Sequence, residues 1–109
     1  MATFQEFLEF DIRIGTVLEA QPHPTARKPS MQLKIDFGPL GIKQSSAQLT
    51  KRYVPEQLVG RQIVAVVNFP PRRVADYTSE VLVLGGMPAA DDVILLRPDE
   101  TAPNGCRIG

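Results

Sequence analysis

The alternation of apolar and polar residues is clearest over residues 31–37, which read Met-Gln-Leu-Lys-Ile-Asp-Phe. A period of two is typical of a strand with one buried face. The segment ends at Gly38-Pro39-Leu40-Gly41, a sequence that favours a turn, and a more polar stretch begins at Ile42. The pattern therefore predicts a β-hairpin over residues 31–49.

Further strands follow from shorter apolar runs. The β-branched run Ile63–Val67 lies between Gly60 and Pro70-Pro71, which predicts a central strand covered on both faces. Segments 79–84 and 93–96 predict two more strands.

The first strand is predicted around Ile12 and Ile14. Its alternation breaks after Gly15, where Val17 and Leu18 are both apolar. A break of this kind indicates a bulge or bend, which we expect at Gly15.

Helical signals are few and short. They cover Thr3–Phe10 and a turn around Pro55–Leu58, with Gly60 as a stop signal. Short strands, one intervening helix and no internal repeat predict an all-β protein built on a five-stranded Greek-key OB-fold barrel. The expected organisation is a single domain, 1–109, with a short N-terminal helix in 1–10, the barrel in 11–97 and a C-terminal extension with added strands in 98–109.

Composition narrows the class of protein. The chain has 109 residues, of which 43% are hydrophobic, and no apolar stretch approaches the length of a membrane span. The first residues do not resemble a secretory signal, so we expect a cytoplasmic protein without membrane insertion. Cys106 and His23 are the only residues of their types, and they predict neither a disulfide nor a metal site.

Charge is balanced overall, with 12 basic and 12 acidic residues, but it is segregated along the chain. Residues 27–73 carry nine basic side chains against Asp36 and Glu56. These basic side chains either form a basic face for an acidic or anionic partner, or they are separate charges that only keep the ends of strands in contact with water.

No nucleophile motif or phosphate-binding loop occurs, so we expect no enzymatic activity and no cofactor. The strongest binding signal is the loop Asn68-Phe69-Pro70-Pro71-Arg72-Arg73. Proline reduces the entropy lost on binding, and guanidinium groups suit phosphates and carboxylates. The alternative is that these arginines pair with Asp76 or Glu80.

The string Asp-Ile-Arg-Ile-Gly-Thr-Val over 11–17, followed by His-Pro-Thr-Ala-Arg-Lys over 23–28, resembles the opening motif of the tRNA-binding domain family. Segments 26–29, 33–38, 41–48 and 68–73 resemble the CsaA group of export-related chaperones within that family. The resemblance implies an OB-fold homodimer that does not catalyse a reaction. Where tRNA-binding relatives read Ser-Gln-Gly-Met, this chain reads Ser79-Glu80-Val81-Leu82, a departure that counts against tRNA affinity.

Two functions follow as expectations: a CsaA-type chaperone that binds unfolded or precursor polypeptides for protein export, with a Sec translocase component as a further partner, or a structure-specific tRNA-binding protein. The expected ligand-binding residues, for peptide or tRNA, combine apolar, hydrogen-bonding and basic side chains: Phe37, Phe69, Tyr77, Ser46, Gln48, Asn68, Ser79, Lys43, Arg72 and Arg73. The apolar residues of 1–10 either contact a second copy of the chain or cap the open end of their own barrel.

Overall fold

The computed structural model describes residues 1–109. Its elements in chain order are α1 (Phe4–Phe7), β1 (Ile12–Pro22), β2 (Met31–Asp36), a 3₁₀ turn (Gly38–Leu40), β3 (Ile42–Ala47), α2 (Pro55–Leu58), β4 (Gln62–Val66), β5 (Arg72–Val74), β6 (Tyr77–Ser79), β7 (Leu82–Val83), β8 (Gly85–Ala89) and β9 (Asp92–Leu95). As predicted, a helix lies between the third and fourth strands.

Five strands form one antiparallel sheet in the order β3-β2-β1-β4-β7. The free edge of β3 then meets the segment between β6 and β7, which nearly closes the sheet into a barrel. The backbone N–H of Glu80 donates to the Gln44 carbonyl over 2.8 Å, and Ser45 Oγ donates to the Val81 carbonyl over 2.9 Å. The predicted all-β barrel is confirmed.

The predicted hairpin over 31–49 is also confirmed. Strands β2 and β3 pair from Met31 with Ala47 to Asp36 with Ile42, without a register shift. The connection turns at Gly38 and Gly41, whose φ angles are +60° and +87°. Glycine populates this region readily because it has no Cβ.

The predicted bend at Gly15 was wrong in position. Strand β1 pairs regularly with β4 through Gly15, and the register against β2 shifts between Val17 and Glu19 instead. Glycine is needed at residue 15 for space, since a Cβ there would lie 2.7 Å from Ile35 Cγ2 and 2.8 Å from the Phe37 ring.

The core lies inside the barrel and draws mainly on β1, β2 and β4, with the half-buried Ala47 of β3 and Val83 of β7 packed against it. Its buried members are Val17, Met31, Leu33, Ile35, Phe37, Leu49, Leu58, Ile63, Ala65, Val81 and Leu95. Strand β4 is buried on both faces, because Val64 and Val66, which point away from this cluster, are also buried. This confirms the prediction of a doubly covered central strand.

Both chain ends are fixed to β1 or its neighbours. Helix α1 is shorter than the predicted 3–10 segment and begins with a capping box between Thr3 and Glu6. The C-terminal segment extends the sheet beside β1, where the Ile108 N–H donates to the Ile12 carbonyl over 2.8 Å and the Gly105 N–H donates to the Ile14 carbonyl over 2.7 Å. Neither helix is long or apolar enough to cross a membrane.

Candidate functional site

Three adjoining cavities form one groove across the surface, and Arg72 lines all three. We call them the apolar cavity (about 290 Å³), the Phe69 cavity (about 200 Å³) and the basic cavity (about 380 Å³). Ser46 is shared by the first two, and Gln48 is shared by the apolar and basic cavities. The groove therefore runs from apolar to cationic surroundings without a break.

The apolar cavity lies between the end of β3, strand β7 and the β8–β9 hairpin. Its hydrophobic walls include Leu82, Val83, Leu84, Met87 and Val93. Leu82 and Met87 are 46% and 62% exposed, although both are large and apolar. Burial of such side chains by a ligand is favourable, by about 25 cal/mol per Å² of apolar surface.

The basic cavity is lined by Arg27, Lys28, Arg72 and Arg73 and by no acidic residue. None of these four cations takes part in an ion pair. Like charges held together without counterions favour the binding of an anion or a carboxylate.

The structure does not contain the pairing of Arg72 or Arg73 with Asp76 or Glu80 that the sequence left open. The Arg73 guanidinium instead donates to the Ala75 carbonyl over 3.2 Å and to Thr78 Oγ1 over 3.4 Å. Asp76 accepts from Thr25 Oγ1 over 2.7 Å, and this hydrogen bond lowers the pKa of the Asp76 carboxyl. Glu80 accepts from the Gln44 backbone N–H over 3.0 Å.

Folding sorts the nine basic residues of 27–73 into separate environments. Lys34, Lys51 and Arg52 form ion pairs with Glu19, Asp91 and Asp92 respectively. Arg61 lies over the ring of Tyr53 at 5.1 Å from its centroid. Lys43 lies on β3 outside the groove, and the remaining four cations line the basic cavity, so only part of the charge segregation in the sequence becomes a basic surface.

The Phe69 cavity lies next to the N-terminal segment. Phe69 is 40% exposed, and its ring meets that of Phe10 edge-to-face at 5.9 Å between centroids. Glu80 lines the same cavity, which places one carboxylate at the end of the groove opposite the basic cavity.

Six of the ten residues expected to bind ligand line the groove: Ser46, Gln48, Phe69, Arg72, Arg73 and Ser79. Lys43 lies on β3 outside it. The other three are occupied by the fold itself, as described next.

Phe37 is fully buried in the core and offers no surface to a ligand. Asn68 uses both ends of its amide to hold the N-terminal segment, accepting from the Asp11 N–H over 2.9 Å and donating to the Glu9 carbonyl over 2.8 Å. Tyr77 donates its hydroxyl to the Leu33 carbonyl over 3.3 Å, and burial raises the pKa of this phenol.

The sequence did not place Arg27, Lys28, Leu82 and Met87 among the expected binding residues, although all four line the groove. The two cations were part of the basic segment, but they lie more than forty positions from Arg72 along the chain. Leu82 ends the segment that departs from the Ser-Gln-Gly-Met motif, and this departure gave no sign of an apolar wall, while Met87 lies in a short strand without a motif.

A larger open cavity of about 760 Å³ lies elsewhere, beside Arg61, Arg97, Asp99 and Glu100. It has no hydrophobic lining residue, and its charges are of both signs. This surface lacks the combination of apolar and cationic walls that distinguishes the groove.

Similarity to known proteins identifies the family of this chain. A family model described as "putative tRNA binding domain" matches residues 12–107. The chain belongs to this family. Among curated proteins it is 37% identical over 107 residues to the methionine–tRNA ligase of Methanococcoides burtonii, covering 97% of this chain but only 16% of that protein. The chain thus spans a small part of the length of the curated relatives it matches.

Solved structures superpose on the whole length of this chain. The chaperone CsaA of Bacillus anthracis superposes with a TM-score of 0.96 at 62% identity, covering 100% of this chain and 99% of that one. The CsaA chaperone protein of Picrophilus torridus gives a TM-score of 0.92 at 44% identity with full coverage of both chains. A protein from Pyrococcus horikoshii described as related to methionyl-tRNA synthetase shares the fold, with a TM-score of 0.89 at 24% identity. The recognised resemblance and the OB-type fold are confirmed, and the chain is a CsaA-type protein of the tRNA-binding-domain family.

Proposed function

We propose that this protein is a non-enzymatic chaperone that holds unfolded or precursor polypeptides for export, and that the groove is its binding site. The observation that carries the proposal is the position of Arg72, at which an apolar cavity and a cation-lined cavity meet. Exposed apolar side chains together with acidic groups are typical of an unfolded polypeptide, and the groove offers a surface to each.

Binding follows from complementary surfaces. An apolar side chain of the client enters the apolar cavity, and a neighbouring carboxylate meets the cations beside Arg72. Because the protein binds the unfolded chain, it lowers the free concentration of that chain and slows its aggregation. Holding of this kind requires no covalent step.

Similarity supports the chaperone proposal, since two structures described as CsaA chaperones cover the complete chain. We further propose that residues 1–109 act as one unit in the cytoplasm, as a homodimer, and pass clients to a Sec translocase component. The exposed apolar residues of 1–10, among them Phe4 at 68% exposure, are available for the dimer contact. Deletion of 1–10 tests this role, because an unchanged dimer mass in solution would exclude it.

Binding of structured tRNA is the second candidate. The family description favours it, and so does the absence of any carboxylate from the basic cavity. Phosphates would contact the four cations, and Phe69 would stack on an exposed base. Glu80, on the Phe69 cavity, would repel a phosphate passing there.

Fluorescence anisotropy distinguishes the two functions. The probes are labelled bulk tRNA and labelled reduced, carboxymethylated lactalbumin, which stays unfolded. Each is titrated at low and at physiological salt, because phosphate binding weakens steeply with salt through counterion release. Salt-tolerant binding of lactalbumin together with weak tRNA binding is the expected result.

Two groove variants and one control sharpen the comparison. Leu82→Ser with Met87→Ser removes exposed apolar surface and should weaken lactalbumin binding more than tRNA binding. Arg72→Ala with Arg73→Ala should weaken both. Arg97→Ala with Arg107→Ala removes two exposed cations outside the groove and should change neither. Tight, salt-sensitive tRNA binding that depends on Arg72 and Arg73, without lactalbumin binding, would instead establish the tRNA function.

A further inference from the structure

His23 is buried, at 7% exposure, and both of its ring nitrogens lie within hydrogen-bonding distance of backbone groups. Its Nδ1 accepts from the backbone N–H groups of Thr25 over 3.3 Å and Ala26 over 3.1 Å. Its Nε2 lies 3.1 Å from the Val74 carbonyl oxygen, which can only accept. Two donors on one nitrogen and an acceptor on the other require the neutral ring with its proton on Nε2.

This ring joins the two sides of the basic cavity. Its Nδ1 shapes the loop that continues directly into Arg27 and Lys28. Its Nε2 contacts β5, the strand that carries Arg72 and Arg73. A second link, from Thr25 Oγ1 to Asp76, joins the same loop to the turn after β5.

We propose that the neutral imidazole of His23 is a positioning group for the basic cavity, because it docks the loop bearing Arg27 and Lys28 onto strand β5. The proposal deepens the proposed function, and it rests on the groove as the ligand site. It assigns His23 no contact with the ligand.

Protonation of the ring would remove the loop side of this docking, whereas the Nε2–H bond to the Val74 carbonyl would persist. An imidazolium ion has no lone pair on Nδ1, so the N–H groups of Thr25 and Ala26 would lose their acceptor. The β5–β6 hairpin, which packs against the ring, carries the charged or titratable residues Arg72, Arg73, Asp76 and Tyr77. The loop of His23 itself carries Arg27 and Lys28. Asp76 attracts the imidazolium, whereas the four cations repel it. Anion binding in the groove should therefore weaken when the ring is protonated.

The test uses sulfate as the probe, because it remains a dianion across the pH range of the test. Sulfate affinity is measured from the backbone amide shifts of Lys28 and Arg73 by NMR, at about pH 7.5 and about pH 5.5. Amide exchange of Thr25 and Ala26 is followed in the same samples. The variants are His23→Asn, whose Oδ1 can still accept from these N–H groups but does not titrate, and His23→Phe, which keeps a ring without an acceptor.

Four results are expected. The wild-type protein binds sulfate about fivefold more weakly at the lower pH, which is the size expected for losing part of a multivalent charge contact. His23→Asn keeps the acceptor for the loop but lacks the bond to Val74, so it binds more weakly than the wild type at the higher pH and shows no further loss at the lower pH. His23→Phe binds weakly at both. The protection factors of the Thr25 and Ala26 amides, calculated against the intrinsic exchange rate at each pH, fall wherever the acceptor at residue 23 is lost.

Wild-type affinity in a folded His23→Phe protein would overturn the proposal. So would an equal pH dependence in the wild type and in His23→Asn, since that dependence would then arise from another group. A protein that binds sulfate as expected but does not bind unfolded lactalbumin would refute the chaperone function and leave the role of His23 intact. Lactalbumin binding by the wild type, together with unchanged sulfate binding in the His23 variants, would support the chaperone function and refute the role of His23.

Discussion

Ser79 Oγ accepts a hydrogen bond from the backbone N–H of Ser46 over 3.1 Å, at the point where β3 meets the β6–β7 segment. This bond helps close the barrel, and both residues line the Phe69 cavity. One wall of the groove is thus also the seam of the barrel. A seam with satisfied hydrogen bonds keeps the wall rigid, which limits the entropy lost when a ligand binds.

Replacement of Ser79 should therefore affect stability. Ser79→Ala removes a buried hydroxyl and leaves the half-buried Ser46 N–H without its partner, which typically costs about 1 kcal/mol. Ser46→Ala is the matched control, because the Ser46 hydroxyl makes no hydrogen bond within the protein and only its backbone N–H contributes. Urea unfolding of both variants measures the difference. Equal free energies of unfolding would show that the Ser79 hydroxyl does not hold the seam.

Arg72 and Arg73 should contribute unequally to ligand binding. Arg72 lines all three cavities and its side chain makes no hydrogen bond within the protein, whereas the Arg73 side chain is held by Ala75 and Thr78. Arg72→Ala should weaken lactalbumin binding about tenfold, as expected for loss of a charged hydrogen bond. Arg73→Ala should have a smaller effect.

Neither substitution should change the free energy of unfolding by more than about 0.5 kcal/mol, because both side chains are exposed. Anisotropy measures the binding, and urea unfolding provides the control for folding. A larger loss of lactalbumin affinity for Arg73→Ala than for Arg72→Ala would indicate that the ligand binds mainly near the β5–β6 turn.

The Arg52–Asp92 pair should make stability depend on pH at the acidic end. The Arg52 guanidinium donates two hydrogen bonds to the Asp92 carboxylate, one of them over 2.9 Å, and these bonds lower the pKa of that carboxyl. A carboxyl with a depressed pKa in the folded state stabilises the protein above its unfolded pKa of about 3.9. This contribution is lost as the pH falls through the folded pKa.

Asp92→Asn should therefore be less stable than the wild type at about pH 7, and the gap should narrow below about pH 4. Unfolding midpoints in urea at several pH values measure this gap. Asp91→Asn, at an exposed carboxylate 3.6 Å from Lys51, is the control and should show a smaller difference. A gap for Asp92→Asn that stays constant with pH would contradict the prediction.

Gly15 should tolerate no side chain. The Cβ of Gly15→Ala would overlap Ile35 and Phe37 within the core, and overpacking of this kind costs about 1–3 kcal/mol. Gly86→Ala is the control, since the nearest atom to a Cβ there is 4.0 Å away. Thermal unfolding should show a lower midpoint for the first variant only. A similar midpoint for both would mean that the barrel relaxes around residue 15.

Much of the architecture could be predicted because its signals are local. The alternation over 31–37 reflects one buried and one exposed face, and the hairpin follows from two glycines with positive φ. The run Ile63–Val66 reflects a strand buried on both faces. The position of the β1 irregularity could not be predicted in this way, because it depends on pairing with a different strand at each end of β1.

The site shows the same division. By itself the sequence determined the family, the strand pattern and the proline-bounded loop carrying Arg72 and Arg73, because these depend on neighbouring residues. Only the tertiary structure decided that Arg27 and Lys28 join these arginines, while other cations of the same segment are neutralised by acids from elsewhere. The physical reason is that electrostatic and packing partners are set by distance in space. The contact of the buried His23 ring with the Val74 carbonyl, 51 positions along the chain, likewise exists only in the tertiary structure.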